Sequence, residues 1–287
     1  NGKAVFTVFS TTSQNGIWIS DGTESGTTLL SANGGQISDS DGALTKVGNS
    51  IFFIRTSSLP YTNHLWKTDG TVGGTVLVKS GVLPIQWGRD LNGKLIYQPN
   101  ESTLMVSDGT EAGTFSLSAA VPGLPGYFRD MAIFNNLAYF QSGNQLWKTD
   151  GTPSGTVLAN SELVLTNSYG SVEYYLPESQ IDAVGGQLFI TAYDSIRGME
   201  LYRSDGTQAG TEIVADIRPG NGHGIRKILS ANSDSLFIEA GDVPTGYELY
   251  KVPLVEPVVN NAAPVVNPSG NPTLDSIVEE TLAANNP

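Results

Sequence analysis

The heptapeptide LWKTDGT stands at residues 65–71 and again, letter for letter, at residues 146–152. VGGT follows the first copy and PSGT follows the second. Such an identity has two explanations: a binding or catalytic site that is used more than once, or a structural unit that the fold needs more than once. The surrounding sequence distinguishes between them.

The heptapeptide belongs to a repeat that runs through most of the 287-residue chain. Related segments read IWISDGTESGT, LWKTDGTVGGT, LMVSDGTEAGT, LWKTDGTPSGT and LYRSDGTQAGT. Their aspartates lie 39 to 55 residues apart, at Asp21, Asp69, Asp108, Asp150 and Asp205. A sixth copy, ELYKVP from Glu248, keeps the strand pattern and lacks the turn. Repetition at this period is typical of β-propellers and solenoids.

Each complete unit predicts four short strands. An apolar stretch such as SIFFIRT precedes the LW segment, another candidate strand lies upstream, and a β-branched run such as TVLVK follows the turn. Leu65 and Trp66 point to opposite faces of a strand, so their sheet must be covered on both faces. A radial array of such sheets supplies that cover.

We therefore predict an all-β fold, a β-propeller of four-stranded antiparallel blades over residues 1–254. Six blades are expected, or five if the two incomplete end units share one sheet, and a β-solenoid is the other architecture with this period. Residues 254–259 could supply a missing edge strand. Residues 255–287 are rich in Pro, Asn and Ala and are interpreted as a linker into a further module.

The DGTxxGT segment predicts a fixed hairpin connection. Each repeated aspartate can accept hydrogen bonds from backbone N–H groups ahead of it, as in an Asx-turn. In the second copy, Gly70 tolerates a positive φ, Gly74 allows a second bend, and the hydroxyls of Thr71 and Thr75 can hold the loop ends. These residues are therefore predicted to be structural rather than catalytic.

These motifs carry a family resemblance. LW-type strands ending in DGT, then GT-x-LV, the DIRPG turn at 216–220, the GGQLFI strand and the GMELY segment resemble the ELWxxDGT repeat family over residues 17–252. The resemblance implies a β-propeller in a large secreted or surface bacterial protein, often beside cadherin-like and calcium-binding modules. Two copies keep the glutamate of the family motif, at Glu200 and Glu248.

Composition excludes several partners. The formal net charge is −13 with only 15 Lys and Arg residues, which disfavours binding to nucleic acid or to anionic membranes. No apolar run is long enough to span a bilayer, so no membrane insertion is expected. The chain has no cysteine and hence no disulfide or thiolate metal site.

Catalytic chemistry has little support in the sequence. The two histidines, His64 and His223, lie in predicted loops, and there is no G-x-S-x-G elbow. A carboxylate pair could hydrolyse a polysaccharide, since 28 acidic residues are present. No unique pair stands out from the repeat.

Calcium is the candidate cofactor. Asp194 with Glu200, and Asp242 with Glu248, bring an Asp and a Glu to the same hairpin, and hard cations prefer several oxygen ligands. The other interpretation is that these acids pair with nearby cations, namely Arg197, Arg203 and Lys251.

Ligand binding is expected where the copies differ. Aromatic residues outside the repeated strands could line a sugar- or peptide-binding face or cover the core: Trp87, Tyr127, Phe128, Tyr169, Tyr174 and Tyr175. The insertion at 162–178 is the expected place for an added function.

We therefore expect a non-catalytic extracellular module of a large bacterial surface or secreted protein. Its role would be adhesion, matrix assembly or binding of a glycan or protein ligand. One alternative is a polysaccharide-acting hydrolase or lyase. Another is a structural subunit that self-associates by strand exchange.

Overall fold

The computed structural model describes residues 2–8, 16–31, 44–58, 60–166, 179–217, 224–232, 234–242, 246–254 and 275–276. Several residues discussed from the sequence lie outside these ranges: His223, Tyr169, Tyr174, Tyr175, residues 167–178 of the insertion, and most of the segment 255–287.

The described strands form six antiparallel sheets, the first of three strands and the others of four. The first sheet contains β1 (Ala4–Val8), β2 (Gly16–Ser20) and β3 (Thr28–Leu29), and the second contains β4 (Thr45–Val47), β5 (Ser50–Ser58), β6 (Tyr61–Thr68) and β7 (Val76–Ser80). The third contains β8 (Trp87–Leu91), β9 (Lys94–Asn100), β10 (Thr103–Ser107) and β11 (Phe115–Ser116). A one-turn helix, α1 (Leu117–Ala120), follows the third sheet.

The next three sheets repeat this plan with strands adjacent in chain order. The fourth sheet contains β12 (Phe128–Phe134), β13 (Leu137–Ser142), β14 (Gln145–Thr149) and β15 (Val157–Asn160). The fifth contains β16 (Ile181–Val184), β17 (Gln187–Asp194), β18 (Gly198–Ser204) and β19 (Thr211–Ala215). The sixth contains β20 (Ile225–Ala231), β21 (Ser235–Asp242), β22 (Gly246–Pro253) and β23 (Asp275–Ser276). The predicted all-β class and the four-stranded antiparallel units are confirmed. Such sheets are the units from which β-propellers are built.

The LW pair faces two different cores, as its sequence predicts. Leu65 pairs with Ile54 across β5–β6 and both are fully buried in one apolar cluster. The next pair, Trp66 and Phe53, packs in another cluster, with Ile17 of β2. Large apolar side chains on both faces of β6 therefore hold the second sheet from both sides.

The sixth sheet is completed from the segment interpreted as a linker. Ser276 pairs with Tyr250, and Asp275 pairs with Lys251. The sequence pointed to residues 254–259 for this edge, whereas the paired residues lie further along the chain. The boundary drawn at residue 254 therefore leaves out a strand that belongs to the sheet.

The chain forms two compact units. The first contains Asn1–Phe128 and Thr149–Thr156, and the second contains Arg129–Lys148 and Val157–Pro287. Each has its own apolar clusters, the first around Leu65 and Tyr97 and the second around Leu188 and Ile238. Within the described ranges, no helix has the length and apolarity needed to cross a bilayer.

Candidate functional site

The repeated aspartate closes a local hydrogen-bonded turn. In the second copy, Asp69 Oδ1 accepts from the Thr71 N–H at 2.9 Å and from the Thr71 hydroxyl at 2.7 Å. The Thr71 hydroxyl in turn accepts from the Gly74 N–H at 2.9 Å. The same three bonds recur around Asp21, Asp108, Asp150 and Asp205.

A second set of bonds begins one residue earlier, at a position that sequence reasoning missed. The Thr68 hydroxyl accepts from the Gly70 N–H at 3.1 Å and lies 2.7 Å from the Thr75 hydroxyl. Because Thr75 donates its own proton to the Thr71 carbonyl, the Thr68 hydroxyl must be the donor between the two. The signal was present in the sequence, since every copy has Ser or Thr before the aspartate: Ser20, Thr68, Ser107, Thr149 and Ser204.

These hydrogen bonds indicate a structural role for the repeated aspartates. The hydrogen bond from the following threonine hydroxyl is the largest cause that lowers the pKa of each of these carboxyls. A carboxylate held in this way remains ionised and directed into its own turn. The repeated DGT is therefore poorly suited to act as a recurring acid or base.

Gly74 has a different role from the expected bend. Its φ lies outside the left-handed region, whereas Gly70 has a φ of +91°. A Cβ atom on Gly74 would lie 2.0 Å from Asp69 Oδ1. The residue must be glycine because the aspartate side chain fills the space next to it.

In four of the five copies, the glycine after the aspartate lies against the preceding sheet. The Tyr139 hydroxyl of β13 donates to the Gly206 carbonyl at 3.2 Å, and Lys148 Nζ of β14 donates to the same oxygen at 3.2 Å. Lys67, the counterpart of Lys148 in the first LWKTDGT, lies beside Gly109, where an added Cβ would be 2.8 Å from Nζ. The lysine of the heptapeptide thus reaches the next turn along the chain, which explains its presence in both copies.

The proposed calcium ligands have unlike surroundings. Glu200 is fully buried, and its Oε2 accepts from the Ile217 N–H at 3.3 Å. Glu248 is exposed, and the side chains of Asp194 and Asp242 lie outside the described part of the structure. No group of three or more His, Cys, Asp or Glu side chains is placed to hold a metal ion among the described residues. Calcium binding stays a prediction.

The other residues that the sequence singled out lie in different parts of the structure. Arg203 forms a 2.6 Å ion pair with Glu212. His64 Nδ1 lies 3.0 Å from the Ser80 hydroxyl. Phe128 is buried, so it belongs to the core, while Tyr127 is exposed with a φ of +62°.

An open cleft lies between β4 and β8, the first strands of the second and third sheets. Its volume is about 360 Å³, and Lys46, Trp87 and Arg89 line it. Trp87 begins β8 and is half-buried, with the Arg89 Cζ 5.6 Å from its ring centroid. Gly88 lets the strands approach, because an added Cβ would be 2.8 Å from Thr45 Oγ1. This site combines an aromatic ring and cations, the kind of groups that bind ligands.

A pair of carboxylates lies on the first strands of the fourth and fifth sheets. Asp130 uses both oxygens, Oδ1 for the Met131 N–H at 2.9 Å and Oδ2 for the Ile181 N–H at 2.7 Å. The neighbouring Asp182 is half-buried, and its pKa is raised, first by burial and then by the negative charge of Asp130. Ionisation of Asp182 is thus less favourable in the folded state than in the unfolded chain.

Asp182→Asn is expected to raise the melting temperature at neutral pH. The pKa of Asp182 is higher in the folded than in the unfolded chain, so the folded state gains stability as the pH falls through the raised value. The advantage of the variant should therefore shrink on acidification. Melting curves from pH 7 downward test this, with the exposed Glu248→Gln as a control for the same change in net charge. A destabilised Asp182→Asn at pH 7 would contradict it.

Comparison with known proteins finds solved structures of low sequence identity. No protein-family model and no curated protein matches the chain. Similar solved structures include a prolyl endopeptidase (14% identity, 82% of this chain and 35% of that chain, TM-score 0.45) and YCF48 bound to D1 peptide (11%, 88% and 82%, 0.42). A third is the β-propeller domain of the trilobed protease from Pyrococcus furiosus, with an open velcro topology (13%, 89% and 81%, 0.39).

The chain spans 35% of the length of the prolyl endopeptidase. Its similar structures include a β-propeller domain, and the peptidase activities and the peptide complex belong to those proteins.

Proposed function

We propose that this chain is a non-catalytic, extracellular β-propeller module of a large bacterial surface or secreted protein, with six blades, which binds a glycan or protein ligand. One observation carries the proposal. The polar residues that recur are used within their turns or on the preceding sheet, whereas a tryptophan and two cations line a cleft where the copies differ.

The difference between copies is visible on the first strand of each sheet. Two positions before the strand ends, the residue is Thr45 in β4, Arg89 in β8, Ala132 in β12 and Asp182 in β16. A position that the fold required would repeat its residue type, as the turn does. Among these four residues Arg89 is exposed, whereas Thr45 and Ala132 are buried. The exposed cation on β8 therefore favours a local role in binding.

A glycan array combined with a turnover assay on the intact chain tests this function. Specific binding without product is expected. Trp87→Ala should abolish the binding, while Tyr61→Ala, which removes an aromatic ring that is 79% exposed outside the cleft, should leave it unchanged. Melting curves of both variants check that they fold. Formation of any product would contradict the proposal.

The second candidate function is a polysaccharide-acting hydrolase or lyase. The observation in its favour is that Asp182, whose pKa is raised, lies beside a second carboxylate, Asp130, because a carboxyl group with a raised pKa can act as a general acid next to another carboxylate. Against it, both oxygens of Asp130 accept backbone hydrogen bonds. Product that disappears in Asp182→Asn would establish this candidate instead.

A further inference from the structure

The cleft between β4 and β8 gathers two exposed cations in a chain whose net charge is −13. Lys46 lies on β4 and Arg89 on β8. The acid beside them, Asp90, is already used: Oδ2 accepts from the Gly48 N–H and Oδ1 from the Gly93 N–H, both at 2.7 Å. Its carboxylate holds two hairpin turns at the edge of the cleft. The cations therefore keep their capacity to bind an anionic ligand.

The guanidinium of Arg89 is held in place before any ligand arrives. Its Cζ lies over the Trp87 ring, and Nη1 donates to the Gly88 carbonyl at 3.2 Å. A guanidinium has five N–H donors, so most remain for a ligand. A carboxylate matches this planar donor group through two parallel hydrogen bonds. Pre-organisation reduces the entropy lost when the ligand binds.

The shape and lining of the cleft favour a carbohydrate over a peptide. The volume of about 360 Å³ lies near the lower end of the range for small-ligand sites. The lining combines apolar surface, to which Leu44 and the partly exposed Trp87 contribute, with the exposed polar side chains of Gln86, Lys46 and Arg89. Peptides are often bound in apolar grooves or along sheet edges, and an acidic peptide that competes equally well with the sugar would overturn the carbohydrate class. A sugar instead presents C–H groups to an aromatic ring and hydroxyls to amides and cations.

We propose that this cleft binds an anionic, uronate-bearing oligosaccharide. The sugar carboxylate pairs with Arg89 and Lys46, the C–H face of the ring contacts Trp87, and hydroxyls bond to Gln86. This inference rests on the proposed binding function and narrows it to one class of ligand.

Titration with tetragalacturonate and with its fully methyl-esterified form tests the inference, because the two probes differ in charge and not in sugar. The acid should bind about tenfold more tightly than the ester, since hydrogen bonds to charged groups contribute that much. Lys46→Gln and Arg89→Gln should each weaken binding of the acid about tenfold and leave the ester unaffected. Added salt should weaken binding of the acid.

Lys227→Gln is the matched control. It removes one positive charge from an exposed position on β20 and should leave affinity unchanged. Melting curves establish that each variant folds, and Arg89→Lys, which keeps the charge and loses the planar donor group, should bind with intermediate affinity. If Arg89→Gln does not fold, the Lys46→Gln comparison decides.

The possible outcomes distinguish failure of the uronate inference from failure of the proposed binding function. Equal binding of acid and ester, unchanged binding in the cleft variants, or no binding of tetragalacturonate overturns the uronate inference. Neutral glycan binding on the array would still support the proposed function in those cases. An oligonucleotide of equal charge that competes equally well would overturn the carbohydrate class. Absence of any ligand on the array would overturn both.

Discussion

Gly206→Ala is expected to destabilise the chain by about 2 to 4 kcal/mol, which corresponds to roughly 5–15 °C in melting temperature. Two effects combine. Gly206 has a φ of +91°, a conformation that costs an L-residue about 1–2 kcal/mol. In addition, the new Cβ would lie 2.3 Å from the Tyr139 hydroxyl oxygen, so the turn would have to leave its place against β13.

The first copy of the repeat provides the matched control. Gly22 occupies the same position with a φ of +94°, and no described atom lies within 4 Å of an added Cβ. Gly22→Ala should therefore cost only the conformational part, about 1–2 kcal/mol. Tyr139→Phe in the Gly206→Ala background should recover part of the loss. Equal effects of Gly206→Ala and Gly22→Ala in a thermal melt would show that the contact with the preceding sheet contributes nothing.

Gly74→Ala is expected to lower stability by about 1 to 3 kcal/mol, although the adjacent Gly73→Ala should change it by less than about 0.5 kcal/mol. The two glycines differ in their surroundings. An added Cβ on Gly74 meets the Asp69 carboxylate at 2.0 Å, while nothing lies within 4 Å of one on Gly73. Other copies already have alanine at the Gly73 position, at Ala112 and Ala209.

A double-mutant cycle isolates the cause of this effect. Asp69→Ala removes the side chain that Gly74→Ala would displace, so the glycine substitution should cost much less in that background. Chemical denaturation of the four proteins measures the coupling between the two positions. A cost for Gly74→Ala that is the same with and without Asp69 would refute the explanation from close contact.

Much of the fold follows from local patterns in the sequence. The repeated DGT fixes where each hairpin lies, and the adjacent Leu65 and Trp66 require cover on two faces, which the clusters around Ile54 and Phe53 supply. Turns and strand alternation are properties of a few consecutive residues. They are therefore accessible without knowledge of tertiary contacts.

The missing information concerns contacts between sheets. Tyr139 and Gly206 are 67 residues apart, and the bond between them depends on how one sheet packs on another. The cleft has the same origin, because Lys46 and Arg89 come from different sheets. The strand β23 was missed because two polar residues in a Pro- and Asn-rich segment carry no strand pattern. The Thr68 hydroxyl is a different case. The sequence shows that Ser or Thr recurs at this position in every copy, but it does not show the hydrogen bonds that the hydroxyl makes in the folded turn.

The contact of the later turns with the preceding sheet has a consequence for biosynthesis. Tyr139 and Lys148, which receive the Gly206 turn, are synthesised before it, and Lys67 likewise precedes Gly109. Because the chain is synthesised from its N-terminus, the residues that a turn contacts are therefore available before the turn itself has been made. Gly22 begins the series without such a neighbour among the described residues. The contacts of these turns are thus compatible with sheets that form in chain order.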